Sequence, residues 1–435
     1  MSDGADRRTQ LRGLFDAALR AVSAEACMPS ALELAEFRSG GRTCVLAVGK
    51  AAAAMAGVAA ERLGGKVHGL VVTRRGHGLA HWPWTALQVI EAGHPVPDSQ
   101  SLHAARQALE LARNLGPDDC LLALLSGGGS ALLSLPTDGI TLGDKQTVTR
   151  ALLRSGASIA EINCVRKHLS QIKGGRLALA AAPAHVVTLV ISDVPGDDPA
   201  WVASGPTLAD TSSLADAREV LERYAVRPSA AIALALQDPA NETPRAADLG
   251  SLPQQVQVIA SARDALLAAE AFAAAQGWVV SHLGDALQGE ASRLGAAQAQ
   301  QALQLRSAGK GKPQLLLSGG ETTVAVRDPQ GRGGRNLEYL LGLVVALHDA
   351  PGDAAGIWAL AADTDGIDGT EDQAGAFVTP DTQQRARALG LNAADHLARN
   401  DSYGFFERLG DLIVTGPTRT NVNDLRAVLI EAARC

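Results

Sequence analysis

Apolar and polar positions alternate along the first half of the chain in a way that separates strands from helices. Short runs of valine, isoleucine and leucine, which are typical of buried strands, occur at residues 42–49, 69–73, 120–125 and 185–192. Residues 101–116 instead carry apolar side chains three or four positions apart, which predicts an amphipathic helix. Strands that alternate with helices form a parallel sheet covered by helices, so we predict a Rossmann-like α/β fold for this half.

A polar stretch with three prolines, residues 237–255, interrupts this pattern. Such stretches are typical of domain boundaries. Beyond it, apolar runs starting at residues 256–260 again lead into polar or glycine-rich turns, which predicts a second α/β unit. The sequence therefore predicts two domains, over residues 1–240 and 250–435.

Length and charge narrow the function classes. A chain of 435 residues exceeds what one hydrophobic core usually organises. The net charge of −7 argues against nucleic acid as a partner, because phosphate backbones are bound by clustered lysine and arginine. The five cysteines are scattered without metal-binding spacing, and we find neither a secretory signal nor an apolar run long enough for a bilayer. We expect a cytoplasmic protein without a membrane partner.

Two glycine-rich segments each follow a leucine-rich run. The first comprises Ser126, Gly127, Gly128, Gly129 and Ser130, and the second comprises Ser318, Gly319, Gly320, Glu321 and Thr322. Successive glycines let the backbone approach a ligand closely, and a helix that starts at Ser130 would direct N–H groups at an anion. We expect both segments to bind phosphate or a substrate anion, although a tight turn alone also explains each of them.

Basic residues near these segments suggest an anionic ligand. Lys50 lies at the start of a predicted helix, where an ammonium opposes the helix dipole and calls for a nearby anion. Arg332 and Arg335 lie in a glycine-rich entry to a helix, suited to clamping phosphate or carboxylate. Arg166, Lys167, Lys173 and Arg176 are expected to line the site of an anionic substrate, with a solvated helix face as the alternative.

Aspartates follow two of the apolar runs. Asp193 leaves one strand end, where it would bind a metal ion or accept a proton from a substrate hydroxyl. Asp363 and Asp365 follow another, and such hard oxygen ligands suit Mg²⁺ carried by a nucleotide. Helix capping explains Asp193 equally well, and a tight Asp-Gly turn explains the second pair.

Seven ordered motifs carry a family resemblance between about Leu11 and Leu429. They are "LLSGGGSALL", "NCVRKHLSQIKGGRLA", "ISDVPGDDPAWVASGPT", "LLSGGETTV", "GGRNLEYLL", "ADTDGIDGTEDQAGA" and "TGPTRTNVNDL". Together they resemble the class II glycerate 2-kinases. The resemblance implies a Rossmann-like N-terminal domain, a smaller mixed α/β C-terminal domain called MOFRL, and an active site in the cleft between them.

The same resemblance implies transfer of the γ-phosphoryl group of ATP to the 2-hydroxyl of D-glycerate, with Mg²⁺. It also implies that Lys50 and Arg335 are the catalytic cations, because they match the "VGK" and "GGRN" positions of the family. We expect Asn336, which follows Arg335, to contact the substrate. The sequence leaves open whether the chain forms a homodimer, which glycine segment holds ATP, and which hydroxy acid is preferred.

Two other functions stay open at the level of sequence. Many members of this family are labelled hydroxypyruvate reductase, often from tartrate degradation operons, and an NAD(P)-dependent reductase is the first alternative. That enzyme would need the G-x-G-x-x-G fingerprint, of which only Gly49 is present after the first strand. A non-catalytic sugar-acid binding protein is the second alternative, and the acidic segment at 363–372 argues against it.

Overall fold

The computed structural model divides the chain into two compact units. We call residues 24–259 the Rossmann unit, and residues 1–23 with 260–435 the mixed-sheet unit. The structure describes residues 2–35, 37, 40–64, 67–250, 252–309, 311–348 and 356–431, and side chains from residue 6 onwards. Within these residues, no helix combines the length and apolar character that crossing a membrane requires.

The strands of the described residues are β1 (Thr43–Val48), β2 (Val67–Arg74), β3 (Leu87–Ala92), β4 (Cys120–Leu125), β5 (His185–Ile191), β6 (Gln254–Ala260), β7 (Val279–Leu287), β8 (Gln314–Gly320), β9 (Ile357–Asp363), β10 (Gly375–Val378), β11 (Leu412–Ile413) and β12 (Asp424–Ile430).

The helices are α1 (Ser2–Ala21), α2 (Ala24–Leu34), α3 (Ala52–Arg62), α4 (Ser99–Arg113), α5 (Gly129–Leu132), α6 (Leu142–Ser155), α7 (Ile159–His168), α8 (Arg176–Ala181), α9 (Leu214–Arg223), α10 (Ala230–Ala235), α11 (Ala246–Leu249), α12 (Ala262–Ala275), α13 (Ala291–Ser307), α14 (Arg335–His348), α15 (Thr382–Ala388), α16 (Ala393–Ala398) and α17 (Ser402–Leu409). Short 3₁₀ turns occur at Val202–Ser204 and Pro239–Asn241.

The Rossmann unit contains a six-stranded sheet of order β3-β2-β1-β4-β5-β6. Neighbouring strands from β3 to β5 run parallel, and every residue of β4 is buried. Strands with two buried faces are apolar throughout, which explains the uninterrupted runs in the sequence. The order is that of a doubly wound dinucleotide-binding sheet, so the predicted Rossmann-like fold is confirmed.

Helices α6, α7, α9 and α10 form an additional layer in this unit, which the sequence analysis does not predict. They share a hydrophobic cluster that includes Val148, Leu152, Ile162 and Leu221. Thr141 and Ser158 begin α6 and α7 with side-chain caps. This layer carries several of the basic residues discussed below.

The mixed-sheet unit has the strand order β11-β10-β9-β12-β8-β7. Strands β7 and β8 run parallel, and the other neighbouring pairs run antiparallel. Strand β12 lies between β8 and β9, and its first residue, Asp424, is paired with Gly320 on one side and Asp363 on the other. The expected mixed α/β architecture of the C-terminal part is confirmed.

The compact units divide the chain differently from the predicted bounds of 1–240 and 250–435. The apolar run at 256–260 lies in β6, at the edge of the first sheet. The first 23 residues belong to the mixed-sheet unit, where α1 packs against α12 and Gly13 lies against the ring of Phe272. A local sequence pattern does not contain this information, because it depends on which sheet edge a strand joins.

Candidate active site

The strand order of the Rossmann sheet reverses between β1 and β4, and two predicted site segments follow these two strands. Gly49 and Lys50 come after β1, and Ser126 and Gly127 come after β4. The backbone N–H of Lys50 donates to the carbonyl oxygen of Gly127 at 2.9 Å. In open α/β sheets, ligands bind in the crevice at this reversal, outside the carboxyl ends of the strands. The structure therefore brings the predicted lysine and glycine segment together at the usual ligand position.

The two turns fit together too closely for a side chain at Gly49. A Cβ there would lie 2.1 Å from the Oγ of Ser126, and the φ angle of 129° also favours glycine. The Ser126 hydroxyl is fully buried and accepts a hydrogen bond from the N–H of Ala51 at 3.1 Å. Ser126 thus joins the two turns, and the substrate contact expected of it stays a prediction.

Gly128 is the residue of the first glycine segment with a left-handed backbone. Its φ angle is 83°, and a Cβ would lie 3.1 Å from Cδ2 of His94 and 3.5 Å from Cγ of Lys50. His94 was not found by the sequence analysis, because an isolated histidine before a proline carries no pattern. The backbone of Gly128 therefore passes directly beside a lysine and an imidazole.

The helix expected to start at Ser130 is only a single turn, α5, and it begins at Gly129. A single turn does not provide the row of aligned N–H groups that makes a longer helix attract anions. The Ser130 hydroxyl instead forms a 2.6 Å hydrogen bond with the hydroxyl of Ser204. The features of this segment that suit an anion are therefore its glycine backbone and the nearby cations.

Lys173 is buried, whereas Arg166 is only partly buried. The Lys173 ammonium donates to the carbonyl oxygen of Ala203 at 3.3 Å. Ala203 and Ser204 have left-handed φ angles of 53° and 62°, which are strained for residues with a side chain. A solvated helix face therefore does not describe Lys173. Asp193 follows β5 at the same sheet edge and is partly buried.

In the mixed-sheet unit, the guanidinium of Arg335 contacts three carboxylates. Nε lies 2.9 Å from both oxygens of Asp424, Nη2 donates to Asp363 at 2.9 Å, and Nη1 donates to Glu321 at 2.7 Å. Burial by itself lowers the pKa of Arg335, but the carboxylates, led by Asp424, raise it well above its ordinary value. The guanidinium of Arg335 is thus held in one orientation. Each of its two terminal nitrogens carries a second N–H besides the one that binds a carboxylate.

Asp424 is the central carboxylate of this network, and the sequence analysis gave it no role. Its side chain is completely buried, and it also contacts Arg426 at 2.5 Å. Arg426 donates to the carbonyl oxygens of Gly319 and Gly320 at 3.2 and 3.3 Å, and to the Thr322 hydroxyl at 3.3 Å. A buried arginine therefore fixes the end of β8.

The second glycine segment does not form the turn that we expected from the sequence. Ser318, Gly319 and Gly320 are buried residues of β8 itself. A Cβ at Gly320 would lie 2.2 Å from the backbone nitrogen of Leu287, so the glycine allows close approach of β7. Thr322 is also buried, which leaves Glu321 as the exposed member of this segment.

Asn336 is held at the start of α14 by hydrogen bonds to two aspartates. Its N–H and that of Leu337 donate to the two oxygens of Asp368 at 3.1 and 3.0 Å, so Asp368 caps the helix from a distant loop. The side-chain amide of Asn336 donates to Asp424 at 2.7 Å. Burial, together with neighbouring Asp424, raises the pKa of Asp368 to about 6.

The acidic segment offers carboxylate oxygens of the kind that Mg²⁺ at a nucleotide site uses. The described residues contain no group of three or more histidine, cysteine or acidic side chains arranged around a metal position. Asp363 accepts from Arg335 and from the N–H of Asp365 at 3.0 Å, and Asp365 accepts from the N–H of Ile367 at 2.7 Å. Mg²⁺ at nucleotide sites commonly takes one or two carboxylates and keeps several waters. One or two of these side chains are compatible with that mode.

These features define a two-unit α/β protein in which Lys50 and a glycine segment meet at the reversal of a Rossmann sheet. The chain matches a domain of unknown function (DUF4147) over residues 10–237 and the MOFRL family over residues 314–424. Together with the relatives described next, these matches show that the chain belongs to the MOFRL-containing glycerate kinase family.

Individual relatives match nearly the whole chain. A protein of Agrobacterium vitis with the provisional name hydroxypyruvate reductase is 50% identical, over 97% of this chain and 94% of its own. A D-glycerate 2-kinase of Thermotoga maritima is 41% identical, over 89% of this chain and 91% of its own. A crystal structure of a glycerate kinase from Thermotoga maritima matches with a TM-score of 0.85 and 38% identity, over 98% of this chain and 100% of that one.

Proposed function

We propose that this protein transfers the γ-phosphoryl group of ATP to the 2-hydroxyl of D-glycerate, giving 2-phosphoglycerate. The observation that carries the proposal is the contact between Lys50 and the first glycine segment at the reversal of the Rossmann sheet. A relative named D-glycerate 2-kinase and a solved structure named glycerate kinase, both similar over most of this chain, support the same reaction.

The side chains suit phosphoryl transfer, in which catalysis depends mainly on positioning and on neutralising charge. Lys50 supplies a point charge beside a backbone that an anion can approach closely. Arg335 supplies a planar fork, and its terminal N–H groups that do not bind carboxylates suit phosphoryl oxygens. Because its carboxylate partners already orient it, it needs little reorganisation when charge develops in the transition state. We assign both residues to this reaction.

We propose that carboxylates of this chain would hold Mg²⁺ bound to ATP, and that the ion would supply charge neutralisation at the phosphate oxygens. Asp193, Asp363 and Asp365 are the candidate carboxylate ligands, since each lies at or just after the carboxyl end of a strand. The variants Asp193→Asn and Asp365→Asn are expected to raise the Mg²⁺ concentration for half-maximal turnover, and exposed Asp198→Asn is the control. If Asp193→Asn loses kcat even at saturating Mg²⁺, Asp193 acts as the proton acceptor instead.

A hydroxypyruvate reductase is the second candidate, because the Agrobacterium vitis relative carries that name. Nicotinamide-dependent Rossmann enzymes bind the pyrophosphate through glycines after the first strand. In this chain, Ala51 occupies the second glycine position, and its N–H donates to the buried hydroxyl of Ser126. An N–H that is bonded within the protein is not available to a pyrophosphate, so we favour the kinase.

A coupled ADP-release assay separates the candidates. The purified protein is supplied with ATP and a panel of three- and four-carbon hydroxy acids, with and without Mg²⁺, and a parallel sample receives hydroxypyruvate with NADH or NADPH. We expect Mg²⁺-dependent ADP release with D-glycerate and no oxidation of the nicotinamide. Nicotinamide oxidation without ADP release would contradict the proposal in favour of the reductase. Absence of turnover in both samples would favour a binding protein.

A further inference from the structure

Four basic side chains of the Rossmann unit, two of them in the helical layer, lie close enough to influence one another's charge. They are Lys145 of α6, Arg166 of α7, Lys173 between α7 and α8, and Arg176 of α8, and we call them the cationic cluster. Lys145 is only 4% exposed and Lys173 only 1%. The two arginines are partly exposed, so the cluster reaches solvent through their side chains. Arg166, Lys173 and Arg176 were expected from the sequence to line an anionic substrate, whereas Lys145 was not.

Two nitrogen atoms of the cationic cluster are buried without a hydrogen-bond partner among the described residues. They are Nζ of Lys145 and Nε of Arg176. Arg176 does donate from Nη2 to the carbonyl oxygen of Asn241 at 2.6 Å, so its side chain is held in place. Buried polar groups are nearly always paired, and an unpaired buried charge is costly. Two such donors in one cluster indicate that the acceptor is a ligand.

The carboxylates around the cationic cluster are paired with other groups. Asp210 accepts from Lys167 at 3.2 Å, and from two hydroxyl groups. Glu242 accepts from His168 at 3.2 Å and from Arg245 at 3.1 Å. Burial lowers the pKa of Arg176 and both carboxylates oppose this effect, but the pKa values of the lysines of the cluster are lowered by burial and by other cations. Positive charge is therefore least compensated around Lys145 and Lys173.

The mutual influence of the basic groups agrees with this uncompensated charge. Burial, together with Arg166 and Arg176, lowers the pKa of Lys145 to about 7. Burial, together with Lys145, Arg166 and Lys167, lowers the pKa of Lys173 well below its ordinary value. A bound anion would relieve this repulsion.

A chain of polar contacts connects the cationic cluster to the first glycine segment. The hydroxyls of Ser130 and Ser204 lie 2.6 Å apart, and the Ser204 hydroxyl lies 3.5 Å from Oδ1 of Asn163. The same amide oxygen lies 3.5 Å from Nη1 of Arg166. Lys173 holds the strained backbone beside Ser204 through the carbonyl oxygen of Ala203. The cluster and the glycine segment thus adjoin within one unit.

We infer that the cationic cluster binds the carboxylate of the hydroxy-acid substrate, with Lys145 and Arg176 supplying the two unpaired donors. This inference rests on the proposed function. In a 2-hydroxy acid, the carboxylate is attached to the carbon that bears the reacting hydroxyl, so holding one positions the other. Lys50 and the first glycine segment then serve the phosphoryl group. The substrate class is a short 2-hydroxy carboxylate.

The variant Lys145→Met tests the inference, because methionine has a similar length and no charge. By isothermal titration calorimetry, we expect the Kd for D-glycerate to rise at least about 10-fold, as for loss of a charge-assisted hydrogen bond, while the Kd for ATP is unchanged. Without ligand, the thermal midpoint should rise, because an unpaired buried charge is removed. Lys312→Met, at an exposed lysine, is the matched control and should change neither property. Lys145→Gln serves as a second uncharged variant if the methionine protein does not fold.

Each result decides the inference. A weaker affinity for ATP with unchanged affinity for D-glycerate would assign the cationic cluster to phosphate and overturn it. A lowered midpoint with both affinities unchanged would show that Lys145 is structural and would overturn it too. If the parent protein binds no D-glycerate, the proposed function fails. Thermal shifts with lactate and acetate then test separately whether the cationic cluster is a carboxylate site. Stabilisation by these carboxylates that Lys145→Met abolishes supports a carboxylate site, and no stabilisation of the parent overturns it.

Discussion

Replacing Arg335 tests whether one guanidinium holds together the buried acidic residues of the mixed-sheet unit. Its partners Asp424 and Asp363 have side chains that are 0% and 5% exposed. Removing one partner of a buried ion pair typically costs about 3–5 kcal/mol. Because Arg426 remains beside Asp424, we expect the lower end, about 3 kcal/mol, for Arg335→Gln. In a unit of this size, each kcal/mol lowers the thermal midpoint by about 2–4 °C, so the expected loss is about 6–12 °C.

The assay compares thermal unfolding, followed by circular dichroism, of the parent and three variants. Arg335→Lys keeps the charge but reaches fewer carboxylates, so its midpoint should lie between those of the parent and Arg335→Gln. Arg332→Gln is the matched control, because Arg332 is 47% exposed and pairs with Glu371 at the surface. We expect the control to cost less than about 1 kcal/mol. A loss for Arg335→Gln no larger than that of the control would refute the reasoning.

Three further predictions concern catalysis, backbone strain and pH. Lys50→Ala and Arg335→Lys should each lower kcat at least about 100-fold in steady-state assays at a temperature where both variants are folded. A near-parental kcat with only a raised KM would instead indicate that the residue binds the substrate and the transition state equally. Gly128→Ala and Gly139→Ala both place a side chain at a φ near 80°, with strain of about 1–2 kcal/mol. Of the two glycines, only Gly128 has neighbours within 4 Å of the added Cβ. Calorimetry should therefore show weaker ligand binding for Gly128→Ala and unchanged binding for Gly139→Ala. The pKa of Lys145 is lowered from 10.5 to about 7 by folding. The resulting loss of folding stability is therefore largest below pH 7, decreases as the pH rises, and disappears above pH 10.5. In urea unfolding, Lys145→Met should therefore stabilise the protein by about 2–3 kcal/mol more at pH 6 than at pH 9, and an equal gain at both values would count against this pKa.

Sequence patterns predicted β1, β2, β4 and β5 of the Rossmann sheet, because their signal is local, whereas β3 was not predicted and β6 was assigned to the second unit. The run at 120–125 coincides with β4, since a parallel strand with two buried faces is apolar at every position. Lys50 and the first glycine segment were each singled out from their neighbours in the sequence. Their meeting, however, depends on β1 and β4 being adjacent in the sheet, and no local pattern contains the strand order.

The residues that sequence analysis missed depend on tertiary contacts. Asp424 acquires its role from the register of β8, β12 and β9, which places it between Gly320 and Asp363. Lys145 lies in an amphipathic helix, where a lysine is usually solvent-exposed, and only the packing of the helical layer buries it. The close packing at the start of α5 is also a tertiary contact, since a Cβ at Gly129 would lie 2.7 Å from Cβ of Ala203.

The position of the phosphoryl group in the product tests the proposed activity most directly. D-Glycerate, ATP and Mg²⁺ are incubated with the parent protein, and the product is examined by ³¹P NMR with coupling to the protons of the glycerate carbons. We predict a phosphate ester coupled to the single proton on carbon 2, which is 2-phosphoglycerate, and loss of this signal in Lys50→Ala. Coupling to the two protons on carbon 3, or no phosphate ester from an enzyme that is stable and binds ATP, would contradict the account.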